Sequence, residues 1–356
     1  MMNARMLIVL ALATVIVLAL SIVLVNRSGD DPETAADRLL LPELKDRVND
    51  IAALDIIGAD GETVAQLRRD RERWRLREMH DHEASFRLIH DLLRDLVEAQ
   101  RLEARTENPE WHARLGLADP GSGEGSGVAV RFPGAAFDGV IIGKSDPADI
   151  GRYARIEGES RSWLTDLDPE LPTEAIGWLE TAIMDIPAAD IAAVSIRHPD
   201  GQTVELRPAD EAGETWVLLD APAEREVKPA WQLRQAASAL AALGMEDVRP
   251  HKRVPDDAVE VRYRTRDGLD FNASLFAEDD AHWVRFTVAP APKEADEEDE
   301  RSARDEGEVG ADDDESVIDA VAVDGRLSPW QYAISESRFE RMTHRLEDLL
   351  EPGEGD

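Results

Sequence analysis

The sequence predicts an α+β fold: a tandem duplication of a β-β-β-α-β-β-β-β-α unit with antiparallel or mixed sheets, preceded by one transmembrane helix. Three observations carry that expectation. Met6 to Val25 is an unbroken uncharged run. Asp50 to Val64 (DIAALDIIGADGETV) recurs as Asp190 to Val204 (DIAAVSIRHPDGQTV), identical at nine of fifteen positions. The strand-like and helix-like patterns after each copy then follow one order. The chain accordingly divides into an anchor over residues 1–27, a first unit over 28–184 and a second over 185–356.

As a helix, the twenty residues from Met6 to Val25 would rise about 30 Å, the thickness of a bilayer's hydrocarbon core. The run exceeds the apolar stretch of a cleaved signal peptide, and Asn26-Arg27-Ser28-Gly29 follows it without an Ala-x-Ala step, so an uncleaved anchor is expected. A short N-terminus inside and the remaining chain outside is the expected orientation.

In each copy Asp-Gly (Asp60-Gly61, Asp200-Gly201) separates two short aliphatic runs. That signals a hairpin through a two-residue turn with positive φ. A Trp-x-Leu strand follows, Trp74-Arg75-Leu76 and Trp216-Val217-Leu218. Phe86, Ile89, Leu93, Leu96 and Val97, and then Leu233, Ala236, Ala237, Leu240 and Leu243, recur at helical spacing, with Gly244 as the second helix's stop. Val128–Phe132 matches Val259–Tyr263, and Tyr153–Ile156 matches Trp283–Phe286, as strands. Each unit closes on a Trp and a helix: Trp163 with Thr173–Met184, and Trp330 with Ser337–Leu350, where Ser337 and Glu340 suit a capping box. Gly121 to Gly127 (GSGEGSG) reads as a flexible connector. Ala291 to Glu315 holds thirteen acids and three bases, so it is expected to be a disordered acidic insertion (291–315) in the second unit.

The whole chain carries 75 acidic and 40 basic residues, a formal net charge of −35. Such an excess opposes binding to phosphate backbones, so no nucleic acid is expected as a partner. Five lysines stand against 35 arginines, and the spread of acids over the whole chain suits an acid-biased, salt-adapted proteome. The absence of cysteine removes disulfides, thiol catalysis and cysteine-ligated zinc.

The candidate chemistry is thin. Gly139-Val140-Ile141-Ile142-Gly143-Lys144-Ser145 imitates a phosphate-binding loop. It has three residues between the glycines where four are required, and its β-branched interval should be a strand. His80-Asp81-His82, with His90 beyond, could offer imidazoles and a carboxylate to zinc, but its charged surroundings suit exposed turn histidines, with His90 partly buried in packing. Gly158-Glu159-Ser160-Arg161-Ser162 lacks the nucleophile-elbow pattern and suits a hairpin turn. Asp312-Asp313-Asp314 lacks the Gly and Glu of a calcium loop. No catalytic, cofactor-binding or metal residue is assigned and no cofactor is expected.

Together the anchor, the paired Asp-Ile-Ala-Ala hairpins, the Trp-x-Leu strands, Ile142-Gly143 and Tyr153-Ala154-Arg155 make a pattern that resembles the bacterial family called domain of unknown function 4340, over roughly residues 40 to 350. The resemblance implies a membrane-tethered extracytoplasmic protein, in some genomes encoded beside gliding-type ABC transporter components. It supplies no activity and no catalytic residue. The expectation is therefore a non-catalytic accessory or scaffold protein of a transport or envelope complex. It would be held in the bacterial inner membrane by residues 6–25, with its body in the periplasm and a transporter permease or envelope complex as partner. The alternative is an extracytoplasmic solute- or glycan-binding module using Trp111 or Trp178 at a cleft between the units, although either indole also suits packing. A third reading, an envelope hydrolase, has no residue signature.

Overall fold

The computed structural model describes residues 38–292 and 320–352. Its first sheet contains β1 (Ala53–Ile57), β2 (Thr63–Asp70), β3 (Arg73–Leu76), β4 (His82–Glu83), β5 (Arg101–Ala104), β6 (Val128–Arg131), β7 (Val140–Ser145), β8 (Arg152–Ile156) and β9 (Ser162–Thr165). They lie in the order β4-β3-β2-β1-β6-β7-β8-β9-β5. Helices α1 (Pro42–Arg47), α2 (Phe86–Glu98) and α3 (His112–Leu115) accompany them. Next come β10 (Ala182–Met184), β11 (Ile191–Arg197), β12 (Thr203–Pro208), β13 (Trp216–Leu218), β14 (Leu243–Gly244), β15 (Asp247–Pro250), β16 (Val259–Thr265), β17 (Leu269–Glu278), β18 (Ala281–Pro290) and β19 (Trp330–Ile334). Apart from the small β10–β14 pair, these form a sheet in the order β13-β12-β11-β16-β17-β18-β19-β15. Helices α4 (Ala230–Ala237) and α6 (Glu336–Met342) belong here, as does α5, helical over 320–327. The fold is thus α+β with antiparallel sheets and few helices. Leaving β4 aside, the two sheets thread their strands in one order.

Contacts divide the chain into two compact units. Among the described residues, one holds the chain up to Gln66 together with Arg87–Leu171, and the other Leu67–Phe86 with the chain from Pro172 onward. Among the described residues no helix is long and apolar enough to cross a membrane. The expected anchor at residues 6–25, and nearly all of the acidic segment 291–315 with Asp312, Asp313 and Asp314, lie outside the described residues.

Both Asp-Gly hairpins form, through a different turn from the one expected. Gly61 and Gly201 have φ of +90° and +89°, whereas neither aspartate enters the left-handed region. Gly61 N–H donates to the Gly58 carbonyl at 2.9 Å and Gly58 N–H to the Glu62 carbonyl at 2.8 Å. Gly201, His198 and Gln202 repeat the arrangement. This is a three-residue loop whose glycine supplies a bulge. The aspartate's part is to accept the following N–H: Asp60 Oδ1 from Glu62 and Asp200 Oδ1 from Gln202, both at 3.0 Å.

Helix α2 buries Leu88, Ile89, Leu92, Leu93 and Leu96. The stripe is rotated from the expected one, since Phe86 at the first position is 63% exposed. Helix α4 ends at Ala237, earlier than Gly244, which instead pairs with Ala182 in the β10–β14 ladder. Thr173–Met184 is not a helix: Ala175–Trp178 is one 3₁₀ turn and Ala182–Met184 is β10. Gly177 and Pro172 lower its helix propensity, while Trp178 is fully buried, its Nε1 donating to the Pro172 carbonyl. In α6 the N-cap is Ser335, with no side-chain capping bond, so the Ser337–Glu340 box does not form. Strands β5 and β15 escaped the sequence pattern. Arg101–Ala104 buries no side chain fully, and a strand without a buried face has no alternation to read.

The Gly121–Gly127 run is no connector. Ala118 N–H donates to the Gly125 carbonyl and Gly127 N–H to the Ala118 carbonyl, at 3.1 and 2.9 Å. The segment leading into it closes over one face of the first sheet, where Leu117 packs on Ile57, Ala129 and Ile141, flanked by Leu115 and Tyr153. Arg155, 4% exposed, ties that segment down. Its Nε donates to the Leu117 carbonyl at 2.9 Å and its guanidinium also bonds the Asp119 carboxylate. The Val140-Ile141-Ile142 run is apolar at every position because both faces of β7 are covered there.

Tyr263 on β16 is fully buried, and its hydroxyl has no hydrogen-bond partner among the described residues. Burial raises the phenol far above its ordinary range. A hydroxyl desolvated without a partner costs stability that phenylalanine would not. Tyr263→Phe is therefore expected to leave unfolding free energy unchanged or raise it by up to about 1 kcal/mol, as measured by urea denaturation. A loss of that size would show that the hydroxyl is in fact bonded.

Candidate functional site

Within the unit built from Leu67–Phe86 and the chain after Pro172, a cleft of about 490 Å3 is lined by Arg73, Arg75, His82, Glu83, Glu180, Arg326, Trp330 and Tyr332, with Ile183, Met245 and Leu327 among its apolar wall residues. Local sequence accounts for each contribution. Alternation along β3 buries Trp74 and Leu76 and leaves Arg73 and Arg75 on the opposite face. The chain then reverses sharply, because His80 and Asp81 both adopt φ of +59°. Asp81 N–H donates to the Leu76 carbonyl and Ala84 N–H to the Trp74 carbonyl, at 2.9 and 2.8 Å. This lays β4 antiparallel on β3, with Glu83 opposite Arg75 and His82 opposite Leu76. Opposed residues share a face. The cleft therefore wraps the sheet's edge, taking Arg73, Arg75 and Glu83 from one face and His82 from the other.

Arg73 pairs with Glu83 at 3.3 Å, and Arg75 donates to the Asp81 carbonyl at 3.0 Å. From the far wall, β19 presents Trp330 and Tyr332, two apart and hence on one face. The His82 ring meets Trp330 edge-on at 4.7 Å and Tyr332 at 6.4 Å. Arg326, at the end of α5, donates to the Ile183 carbonyl at 3.3 Å.

Burial lowers the His82 pKa below its ordinary 6.5, the Glu83 carbonyl and carboxylate opposing only in part. Burial likewise lifts Tyr332 to about 12, against the nearby Arg326 charge. At neutral pH His82 is thus an uncharged aromatic with hydrogen-bonding nitrogens, and Tyr332 keeps its proton. His344, also desolvated, is shifted down like His82. Below pH 6.5 the unfolded chain takes up protons that these folded imidazoles resist, so stability falls as pH drops through that window. The melting temperature is expected to be flat with respect to these groups above that pH and to decline below it, with a shallower decline in His82→Phe. An unchanged slope in that variant would reject the assignment.

Of the sequence candidates among the described residues, His82 alone lines this cleft. Val140–Ser145 is a strand ending in a turn, as its β-branched interval requires. His82 is half-buried against Trp330 and not an exposed turn residue, whereas His90 is exposed. Among the described residues no three or more His, Asp or Glu side chains are grouped to hold a metal. Ser162 is buried, its Oγ donating to the Thr106 carbonyl at 3.0 Å. Trp178 is fully buried, while Trp111 is 51% exposed with Arg114 over its ring. The cleft residues Arg73, Glu83, Glu180, Arg326, Trp330 and Tyr332 carry no local motif. The one available signal was Trp330-Gln331-Tyr332, two aromatics at strand spacing.

No curated protein and no solved structure matches the chain. A family match runs over residues 74–264, from β3 to β16, which is more than half the chain but narrower than the 40–350 expected from the motifs. It takes in the first Trp-x-Leu strand, both sheets in part, and the second Asp-Gly hairpin. On that match the chain belongs to the family described as domain of unknown function (DUF4340).

Proposed function

We propose that the protein is a membrane-tethered, extracytoplasmic accessory or scaffold protein of a bacterial transport or envelope complex. One observation carries the reading: the uncharged run from Met6 to Val25 stands ahead of a long, acid-rich chain. A single anchor confines such a body to a thin layer beside the bilayer, where effective concentration lets a modest interface suffice. We further propose that the body arose by tandem duplication. Support comes from the nine shared residues of the two Asp-Gly hairpins, from the equal positions of β1–β2 and β11–β12, and from the common strand order.

The test uses the full chain in a Gram-negative host. Retention in carbonate-washed membranes, protease sensitivity in spheroplasts, and recovery of a permease or envelope protein after crosslinking in intact membranes are expected. A freely soluble cytosolic protein would overturn the reading.

A second reading, an extracytoplasmic module that binds a solute or glycan, is supported by the cleft that holds His82, Trp330 and Tyr332. It places the aromatic contact at Trp330, which lines the cleft, whereas Trp178 is enclosed and Trp111 belongs to the other unit.

A further inference from the structure

We infer that the cleft beside β4 and β19 is a binding site for a short acidic saccharide, with the Trp330 indole meeting a sugar ring and Arg73, Arg75 and Arg326 receiving its carboxylates. The inference rests on the second reading above and names the ligand class. Volume is the first argument: about 490 Å3 falls in the range of small-ligand sites, which run from roughly 300 to 1,000 Å3. The lining is the second. Three guanidiniums and two carboxylates line it; Arg73 meets Glu83 at 3.3 Å and Arg75 meets Asp70 at 3.8 Å, while Arg326 bonds the Ile183 carbonyl, and a guanidinium's fork of donors matches a carboxylate.

The two carboxylates are the third argument. Glu83 and Glu180 would repel a compact inorganic anion, but they are acceptors for the hydroxyls of a polyol that also carries negative charge. Trp330 supplies the remaining element, since the electron-rich face of an indole attracts the C–H face of a pyranose. His82 is held edge-on to Trp330 and, uncharged at neutral pH, adds a nitrogen for a hydroxyl without adding charge.

An extended peptide is less well served. Strand addition needs a row of free backbone groups. Here β4 has only two residues. Beyond it, Ala84 bridges Leu179 and the Ser85 N–H donates to the Trp178 carbonyl.

The experiment titrates the full chain in detergent with oligogalacturonate, and in parallel with the fully methyl-esterified oligomer, by isothermal calorimetry at low and at physiological salt. Oligogalacturonate is expected to bind, to weaken with salt, and to exceed the ester. Trp330→Leu should lose at least about tenfold in affinity, as for an aromatic anchor. Arg73→Gln, at a largely exposed side chain, should lose affinity for the acid and not for the ester. Trp111→Ala, in the other unit, should bind as the parent does. Equal, Trp330-dependent binding of acid and ester would overturn the acidic class while keeping a glycan site. Absence of binding by either would overturn the inference together with the reading beneath it.

Discussion

Replacing Trp216 by alanine is expected to lower unfolding free energy by about 3–5 kcal/mol, the cost of emptying a fully enclosed indole site. Trp216 opens β13 and is 1% exposed, and its Nε1 donates to the Gly213 carbonyl at 3.0 Å. Its strand pairs with β12 through Leu206, Arg207 and Pro208 and packs against α4. Truncation therefore removes a large apolar volume where α4 meets the sheet edge and also leaves a backbone carbonyl without its donor. The exposed residue beside it is the internal comparison. Val217→Ala, on the opposite face of the same strand, should cost well under about 1 kcal/mol. Guanidinium unfolding of both variants checks the pair, and similar midpoints would show that burial at Trp216 is not what holds this edge.

The second large effect is expected at Gly125. As part of a flexible connector it would tolerate alanine; in the folded protein it does not. Its φ is +81°, and an added methyl would stand 2.7 Å from the Ala113 carbonyl carbon. Relief by backbone movement would break the Ala118–Gly125 bond and lift Leu117 from Ile57, Ala129 and Ile141. Left-handed strain and overpacking together put the cost of Gly125→Ala at roughly 2–4 kcal/mol. Gly123→Ala is the comparison, since its φ of +115° is also positive but nothing lies within 4 Å of the added methyl. A difference between the two of less than about 1 kcal/mol, read from urea midpoints, would return the segment to the status of a linker.

These two sites show how far the pattern of residues could be read. Trp216-Val217-Leu218 declared its strand and its buried face, because alternation in a half-buried strand is written directly in polarity. The Asp-Gly pairs declared the hairpins, though the turn type depended on which residue took positive φ. The glycine-rich run misled because composition reports what a chain can do in isolation, whereas Gly125 is small so that Ala113 can approach it. The cleft was hardest to read. Arg73 and Arg75 look like the solvent side of a strand, and their distance in sequence from Glu180, Arg326 and Trp330 removes any local spacing that chemistry could impose.

Residue order alone determined the α+β class, most strands, the two hairpins and the family, because backbone preference and the alternation of burial are local properties. Only the tertiary structure decided that both faces of β7 are covered, that Thr173–Met184 is strand and turn, and that His82 meets Trp330. Each of those outcomes depends on what a distant segment brings to the same point in space, and contacts of that kind leave no periodicity in the chain that makes them.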